Sequence, residues 1–273
     1  EASSFQLSHS KFVRPDFALL LNITNDHLDW HKNMKNYLNS KLKIFSLQSK
    51  NHFAIINNKF KKIFINKKFS GKLVKLEDNN YKKIKQKIMN SYLKSNLNDE
   101  NMSFVYTFAK LVKIKEKSFI DSMKSFKGLP HRFEIFLKKK KTTFINDSKA
   151  TSFVATQSAL ASLRNIYWIL GGLPKKNDKM NLSQFKRNII KCYIIGKNIN
   201  FFKKQIKGKL NFKITKNLKN SLLQIFKDIK LSKNVENFIL LSPAAASFDQ
   251  FKNFETRGLK FKSLCKIYAS KYI

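Results

Sequence analysis

At 273 residues, 42% of them hydrophobic and 26 of them Phe, the chain is long enough for two domains with real cores and too apolar to be disordered throughout. Its 55 Lys and Arg against 17 Asp and Glu give a formal charge of +38, which taken alone points to nucleic acid or an anionic membrane surface. The lysines are spread through almost every segment, and only Lys138 to Lys141 are four in a row, so the charge reads as generic solvated surface with nonspecific attraction to polyanions at low salt.

Residues 17–23 form an apolar run after Pro15-Asp16 and read as a buried strand. A polar loop follows through residues 22–31. Residues 34–47 have helical spacing, with Tyr37, Leu38, Leu42 and Phe45 on one side. Residues 53–56 and 62–65 look like short strands. From 67 to 99 the chain is irregular and rich in Lys and Asn, with a helix placed at 81–93. Better helices follow at 102–114 and 118–125, and Gly128-Leu129-Pro130 then punctuates the chain as a domain boundary.

From His131 strands and helices alternate. Strands fall at 132–137, 142–146, 166–170, 189–195, 212–214 and 238–241, and helices near 151–163, 182–186, 199–205, 218–229 and 250–268. This rhythm predicts an α/β fold with a mostly parallel sheet covered by helices on both faces. Cys192 and Cys265 sit in apolar settings without metal spacing, which suits a reducing, cytoplasmic compartment. No apolar run reaches the length of a membrane span. The opening Glu1-Ala2-Ser3-Ser4-Phe5 has neither Met nor a signal segment, and reads as the interior of a domain, hence a fragment.

Several polar clusters carry possible chemistry. Asp26, His27, Asp29 and His31 follow a strand and suit either a divalent metal or a solvated loop whose acids cap a helix. Lys41 lies on the next helix, where burial near acids would lower its pKa, although a surface lysine is the ordinary alternative. Glu1 is a carboxylate able to reach a metal, or a frayed end. Arg132 has the fork geometry for phosphate, Asp147 can accept from ribose hydroxyls, and Asn146, Ser148, Lys149 and Thr151 surround the start of a helix whose free N–H groups favour anions. The plainer account makes Asp147 or Ser148 an N-cap and Arg132 a surface residue. Gly171-Gly172-Leu173-Pro174-Lys175-Lys176 permits close ligand approach, with Lys175 toward an anion, but no phosphate-binding P-loop occurs in the chain. Ser247 and Phe248 open the last helix, as a carboxylate site or as an N-cap and a core aromatic.

Five blocks then stand in order: Glu1 to Leu7, Asn22 to Asp29, Gly128-Leu129-Pro130-His131-Arg132-Phe133-Glu134, Asn146-Asp147-Ser148-Lys149-Ala150-Thr151, and Leu241 to Gly258 with Ser242-Pro243-Ala244-Ala245-Ala246-Ser247-Phe248. Together they resemble the Mur ligase family, and most closely its D-glutamate-adding branch. The resemblance implies a truncated central ATPase domain at 1–128, with a mixed or parallel sheet and helices, followed by a Rossmann-like α/β C-terminal domain at 129–273. It implies a monomeric enzyme that uses ATP and Mg²⁺ to activate the carboxylate of UDP-N-acetylmuramoyl-L-alanine as an acyl phosphate, which the amine of D-glutamate attacks.

By the same resemblance, Glu1, His27 and Lys41 are metal-site residues, and Lys41 matches the lysine that family members carbamylate. Lys41, His27 and Lys149 take the catalytic roles, and Arg132, Asp147 and Asn101 the nucleotide contacts. Thr151, Lys175, Ser247, Phe248 and Phe254 take the D-glutamate pocket. The chain departs from the family pattern at Glu100, Asn101 and Phe104, where a His-Asn pair and a further Asn are usual. With no P-loop, this chain alone is expected to be catalytically inactive. The competing reading is a basic nucleic-acid-binding module, which gives no reason for the 146–151 cluster.

Overall fold

A computed structural model describes residues 1–24, 26–94, 98–175, 178–232 and 236–272, which cluster into two units, Glu1–Lys127 and Gly128–Ile273. Asn25 and Lys176, both within clusters singled out above, lie outside the described residues. No described helix is long and apolar enough to cross a membrane.

The first unit runs α1 (Ser4–His9), β1 (Phe17–Leu20), α2 (Leu28–His31), α3 (Met34–Leu42), β2 (Phe53–Ile56), α4 (Lys61–Asn66), β3 (Lys72–Val74), α5 (Asp78–Lys85), α6 (Ser91–Lys94), α7 (Asp99–Leu111) and α8 (Glu116–Met123). Its strands form a parallel sheet in the order β1-β2-β3. Ser3 and Gln6 start α1 with a reciprocal capping box, each side chain bonding the other's backbone N–H. Ala18, Leu20, Ala54 and Ile56 from the strands pack with Leu42, Phe45 and Phe64 in one core, while Tyr81, Ile84, Met102, Tyr106 and Phe119 join α5, α7 and α8 in another.

Four expectations change here. Residues 62–65 are helical, because Asn57 caps a short 3-10 turn that runs straight into α4, and three consecutive apolar residues carry no strand period. The strand expected at 17–23 stops at Leu20. The stretch taken as irregular contains β3, and the helix placed at 81–93 divides into α5 and α6. The polar loop at 22–31 ends in the single turn of α2.

The second unit runs β4 (Glu134–Lys139), β5 (Thr142–Asn146), α9 (Phe153–Ser162), β6 (Ile166–Gly171), β7 (Ile189–Ile195), α10 (Ile199–Ile206), β8 (Phe212–Lys216), α11 (Leu218–Lys230), β9 (Asn237–Leu241) and α12 (Phe254–Tyr272). The sheet order is β4-β5-β9-β6-β7-β8, parallel throughout except for the antiparallel edge strand β4. Strand residues alternate between two cores. Trp168, Leu170, Cys192, Ile194 and Leu240 pack with α9 and α10, while Tyr167, Ile169, Tyr193, Ile195 and Leu241 pack with α11 and α12. Each such side chain contributes about 1.5–3 kcal/mol when removed from water.

The chain passes from β5 to β6 by way of α9 on one face. It returns from β8 by way of α11 on the other, and β9 slots in between β5 and β6. The winding therefore reverses at β9, and in such sheets ligands bind beyond the carboxyl ends of the strands at the reversal. Two boundaries matter there. The last helix begins at Phe254, not at 250, so Ser247 and Phe248 lie in the loop before it. Ser152, not Asp147 or Ser148, caps α9, and Thr151 precedes that cap. Residues 182–186 form a turn leading into a 3-10 segment at Lys186–Asn188 instead of a helix.

Candidate functional site

The loops leaving β5, β9 and β6 are tied together at the carboxyl edge of the second unit's sheet. Leu173 and Ala246 exchange backbone hydrogen bonds of 2.8 and 2.9 Å, and Gly171 N–H donates to the Pro243 carbonyl over 2.9 Å. Gly172 has φ +137°, and a side chain there would run into the Ala246 carbonyl, so only glycine allows the β6 and β9 loops to close on each other. Asn198, after β7, donates to the Gly172 carbonyl over 3.0 Å.

Asp147 is the hinge pin of the β5 loop. It is buried, with Oδ1 accepting from Phe133 N–H at 3.0 Å and Oδ2 from Ser242 Oγ at 2.6 Å. Burial pushes its carboxyl up to about 6, against the opposing pull of Ser242, the Phe133 amide and Arg132. His131 is buried as well, and its Nδ1 lies 2.9 Å from Asn146 Nδ2. Glu134 Oε2 accepts from His131 N–H and Asn146 Nδ2, both at 3.0 Å, and its other oxygen pairs with Lys262. Burial alone would raise the Glu134 carboxyl, but Lys262, the His131 amide and Asn146 hold it below the usual range. Of the residues in this motif, Arg132 is the cation left exposed.

Lys149 Nζ lies 3.8 Å from the centroid of the Phe254 ring, and Phe254 in turn meets the His131 ring edge-on at 5.9 Å. Thr151 and Lys175 are half-buried in the β5 and β6 loops. Ser247 is buried, and its carbonyl accepts from the Gln250 and Phe251 amides, while Phe248 is exposed. The sequence-expected residues of this unit thus lie on loops at one edge, except Phe254, which opens α12. Sequence reading missed Arg257, in the first turn of α12. It is 1% exposed and donates to Ser148 Oγ (3.0 Å), the Ser148 carbonyl (2.8 Å) and the Ala245 carbonyl (3.0 Å). The Leu241 to Gly258 block contained it, but a lone Arg in a helix gave no sign of burial.

In the first unit, Lys41 Nζ donates to the Ala2 carbonyl over 3.2 Å. Half-burial lowers the proton affinity of this amine, with Glu1 acting the other way. His31 is buried, its Nε2 is 2.9 Å from Ser4 Oγ, and its ring packs among Phe5, Trp30 and Tyr37. Burial, then His27 and Lys41, lower its pKa. His27 sits at φ 55°, half-exposed, with Nδ1 3.6 Å from Asp26 Oδ1. Glu1 is exposed. Among the described residues no three His, Cys, Asp or Glu side chains are placed to hold one metal ion. Asn101 is exposed on α7, while its neighbour Glu100 accepts from Asn22 Nδ2 at 3.1 Å and Asn57 Nδ2 at 2.7 Å, bridging the ends of β1 and β2.

The family described as Mur ligase middle domain matches residues 1–126. A UDP-N-acetylmuramoylalanine--D-glutamate ligase of Rickettsia bellii is 35% identical over 284 residues, covering 96% of this chain and 63% of the relative. The enzyme of that name from Rickettsia conorii is 30% identical over 335 residues, covering 98% of this chain and 67% of the relative. The chain thus spans less than two thirds of the Rickettsia bellii relative's length. In fold, the crystal structure of MurF ligase from Thermotoga maritima in complex with ADP matches with a TM-score of 0.61 at 13% identity, covering 100% of this chain and 66% of that one. This chain belongs to the Mur ligase family.

Proposed function

Proceeding from that membership, we propose that the chain supplies the amino-acid-adding half of a D-glutamate ligase, which joins D-glutamate to UDP-N-acetylmuramoyl-L-alanine at the expense of ATP. The observation that carries this reading is the convergence of Lys149, Thr151, Lys175 and Ser247 on loops, with Phe254 at the start of α12, at one sheet edge where the winding reverses. Cations and hydroxyls gathered there suit an amino acid that brings two carboxylates. Arg132, exposed at the start of the same unit, suits a phosphate.

ATP supplies the phosphoryl group that turns the acceptor carboxylate into an acyl phosphate. The residues of this chain have the complementary tasks. Lys149, steered by the Phe254 ring, places a cation beside the oxygens where negative charge gathers as the amine attacks. Asp147 and Glu134 hold the backbone around Phe133 and His131, and so fix the base from which Arg132 projects.

In the first unit, a lysine whose amine is partly desolvated has more of the neutral form that captures CO₂, so Lys41 suits carbamylation. The carbamate would replace a cation with an oxygen donor. Glu1 and His27 do not complete a magnesium site with the described side chains, and Mg²⁺ favours oxygen donors, so we assign no step to the metal.

Titrating the ¹⁵N-labelled chain with D- and L-glutamate tests the reading. Saturable amide shifts at Lys149, Lys175 and Ser247 are expected with the D enantiomer and weaker ones with the L. Equal, unsaturable shifts across the lysine-rich surface would reject it.

A further inference from the structure

Arg257 stands apart from every other cation described in this chain. Its side chain is 1% exposed, and among the described residues no carboxylate is in ion-pair contact with it, Asp249 acting on it only through space. Its three hydrogen bonds all end on the β5 and β9 loops: Nε on Ser148 Oγ, and Nη2 on the carbonyls of Ser148 and Ala245. Ser148 Oγ passes the link onward by donating to the Phe254 carbonyl over 2.8 Å. The remaining nitrogen, Nη1, is buried with no hydrogen-bond partner, and a methyl group placed on Gly172 would sit 3.3 Å from it.

One guanidinium therefore touches or abuts all three loops that carry the proposed amino-acid site. Buried cations are normally paired directly, whereas Arg257 is opposed by a hydroxyl, two carbonyl dipoles and the charge of Asp249 at a distance, an arrangement that is costly. The cost is offset if the charge has a negative partner that comes and goes. Removing the fork geometry would free the Ser148 turn from the Ala245 turn, and removing the charge would leave the edge less attractive to anions.

We propose that Arg257 is the positioning residue of this site: it sets the spacing of the Ser148, Gly172 and Ala245 turns and provides a buried positive charge beneath the bound carboxylates of the amino acid. The inference rests on the D-glutamate reading for the identity of the ligand, but not for the positioning itself. Lys149, Lys175 and Ser247 would contact the ligand. Arg257 acts through the loops that present them.

The test uses the whole 273-residue chain as wild type, Arg257→Lys, Arg257→Met and Ser148→Ala, with two readouts. The first is amide hydrogen exchange at Leu173 and Ala246, whose mutual bonds report whether the loops stay closed. Arg257→Met is expected to speed exchange there at least tenfold while Ile169 and Leu240 in the strands change less than twofold. Ser148→Ala, which keeps the cation, gives a smaller acceleration at the same two amides and serves if Arg257→Met does not fold. The second readout is D-glutamate affinity, expected to fall about tenfold or more in Arg257→Met and to be largely restored in Arg257→Lys. A purely structural arginine would lower thermal stability in both variants without that charge-dependent rescue.

Unchanged exchange at Leu173 and Ala246 in folded Arg257→Met, or in Ser148→Ala where Arg257→Met fails to fold, overturns the positioning role. Equal affinity loss in the Lys and Met variants overturns the electrostatic role. If the wild-type chain ignores D-glutamate while the exchange result holds, it is the ligand assignment that fails and the positioning that stands.

Discussion

Ser242 Oγ donates to Asp147 Oδ2 across 2.6 Å, joining the ends of two neighbouring parallel strands that are 95 residues apart in the chain. This contact and the Phe133 amide are the two hydrogen bonds that let a carboxylate sit buried at the sheet edge. Ser242→Ala removes one of them and leaves an acceptor unsatisfied in a low-dielectric site. Stability is expected to fall by about 1–3 kcal/mol in urea titrations. A loss near zero would show that water or another donor already shares the carboxylate.

Asp147 also sets a pH signature. Its folded pKa of about 6 lies above the ordinary 3.8. Between those values the folded state binds the proton more tightly than the unfolded chain does, so this group favours folding less and less as pH rises from about 4 to 6. Asp147→Asn removes that component. The urea midpoint of the variant, relative to wild type, is expected to improve progressively from pH 4 to pH 6 and then level off. A flat difference across the window would contradict a raised carboxyl.

Lys41 offers a spectroscopic test. In ¹³C-bicarbonate at mildly alkaline pH, a carbamate resonance is expected that vanishes in Lys41→Arg and weakens as the solution is acidified. The half-buried amine gives this lysine an advantage over the solvated ones. A carbamate signal that survives in Lys41→Arg would remove the site from Lys41.

Much of the architecture was legible because its signals were local. β6, β7 and β9 are short, mostly apolar runs between polar turns, and α11 puts Leu218, Leu222, Ile225 and Phe226 on one face at helical spacing. What failed lacked a period. Ile63, Phe64 and Ile65 read equally as strand or helix, and the preceding Asn57 turn decided for helix. The start of α12 was misplaced because residues 247–251 form a turn whose apolar residues imitate the helix that follows. At the site, residue types singled out segments that the sheet brings to one edge, but not the direction of each side chain. Asp147, expected at the ribose, accepts from the Phe133 amide and Ser242 Oγ, and His131 is buried beside Asn146. Arg257 stayed hidden because burial of a charge depends on contacts 109 residues distant, with Ser148.

The central claim, that these loops select D-glutamate for amide formation, is tested most directly in a hybrid enzyme. Residues 1–273 would be joined to the part of the Rickettsia bellii ligase that lies outside the match, and ADP release measured with ATP and UDP-N-acetylmuramoyl-L-alanine. Release is expected to require D-glutamate and to fall at least a hundredfold in Lys149→Ala, while the 273-residue chain alone gives none. Release that proceeds as fast with glycine or L-lysine as with D-glutamate, or that Lys149→Ala leaves intact, would contradict it.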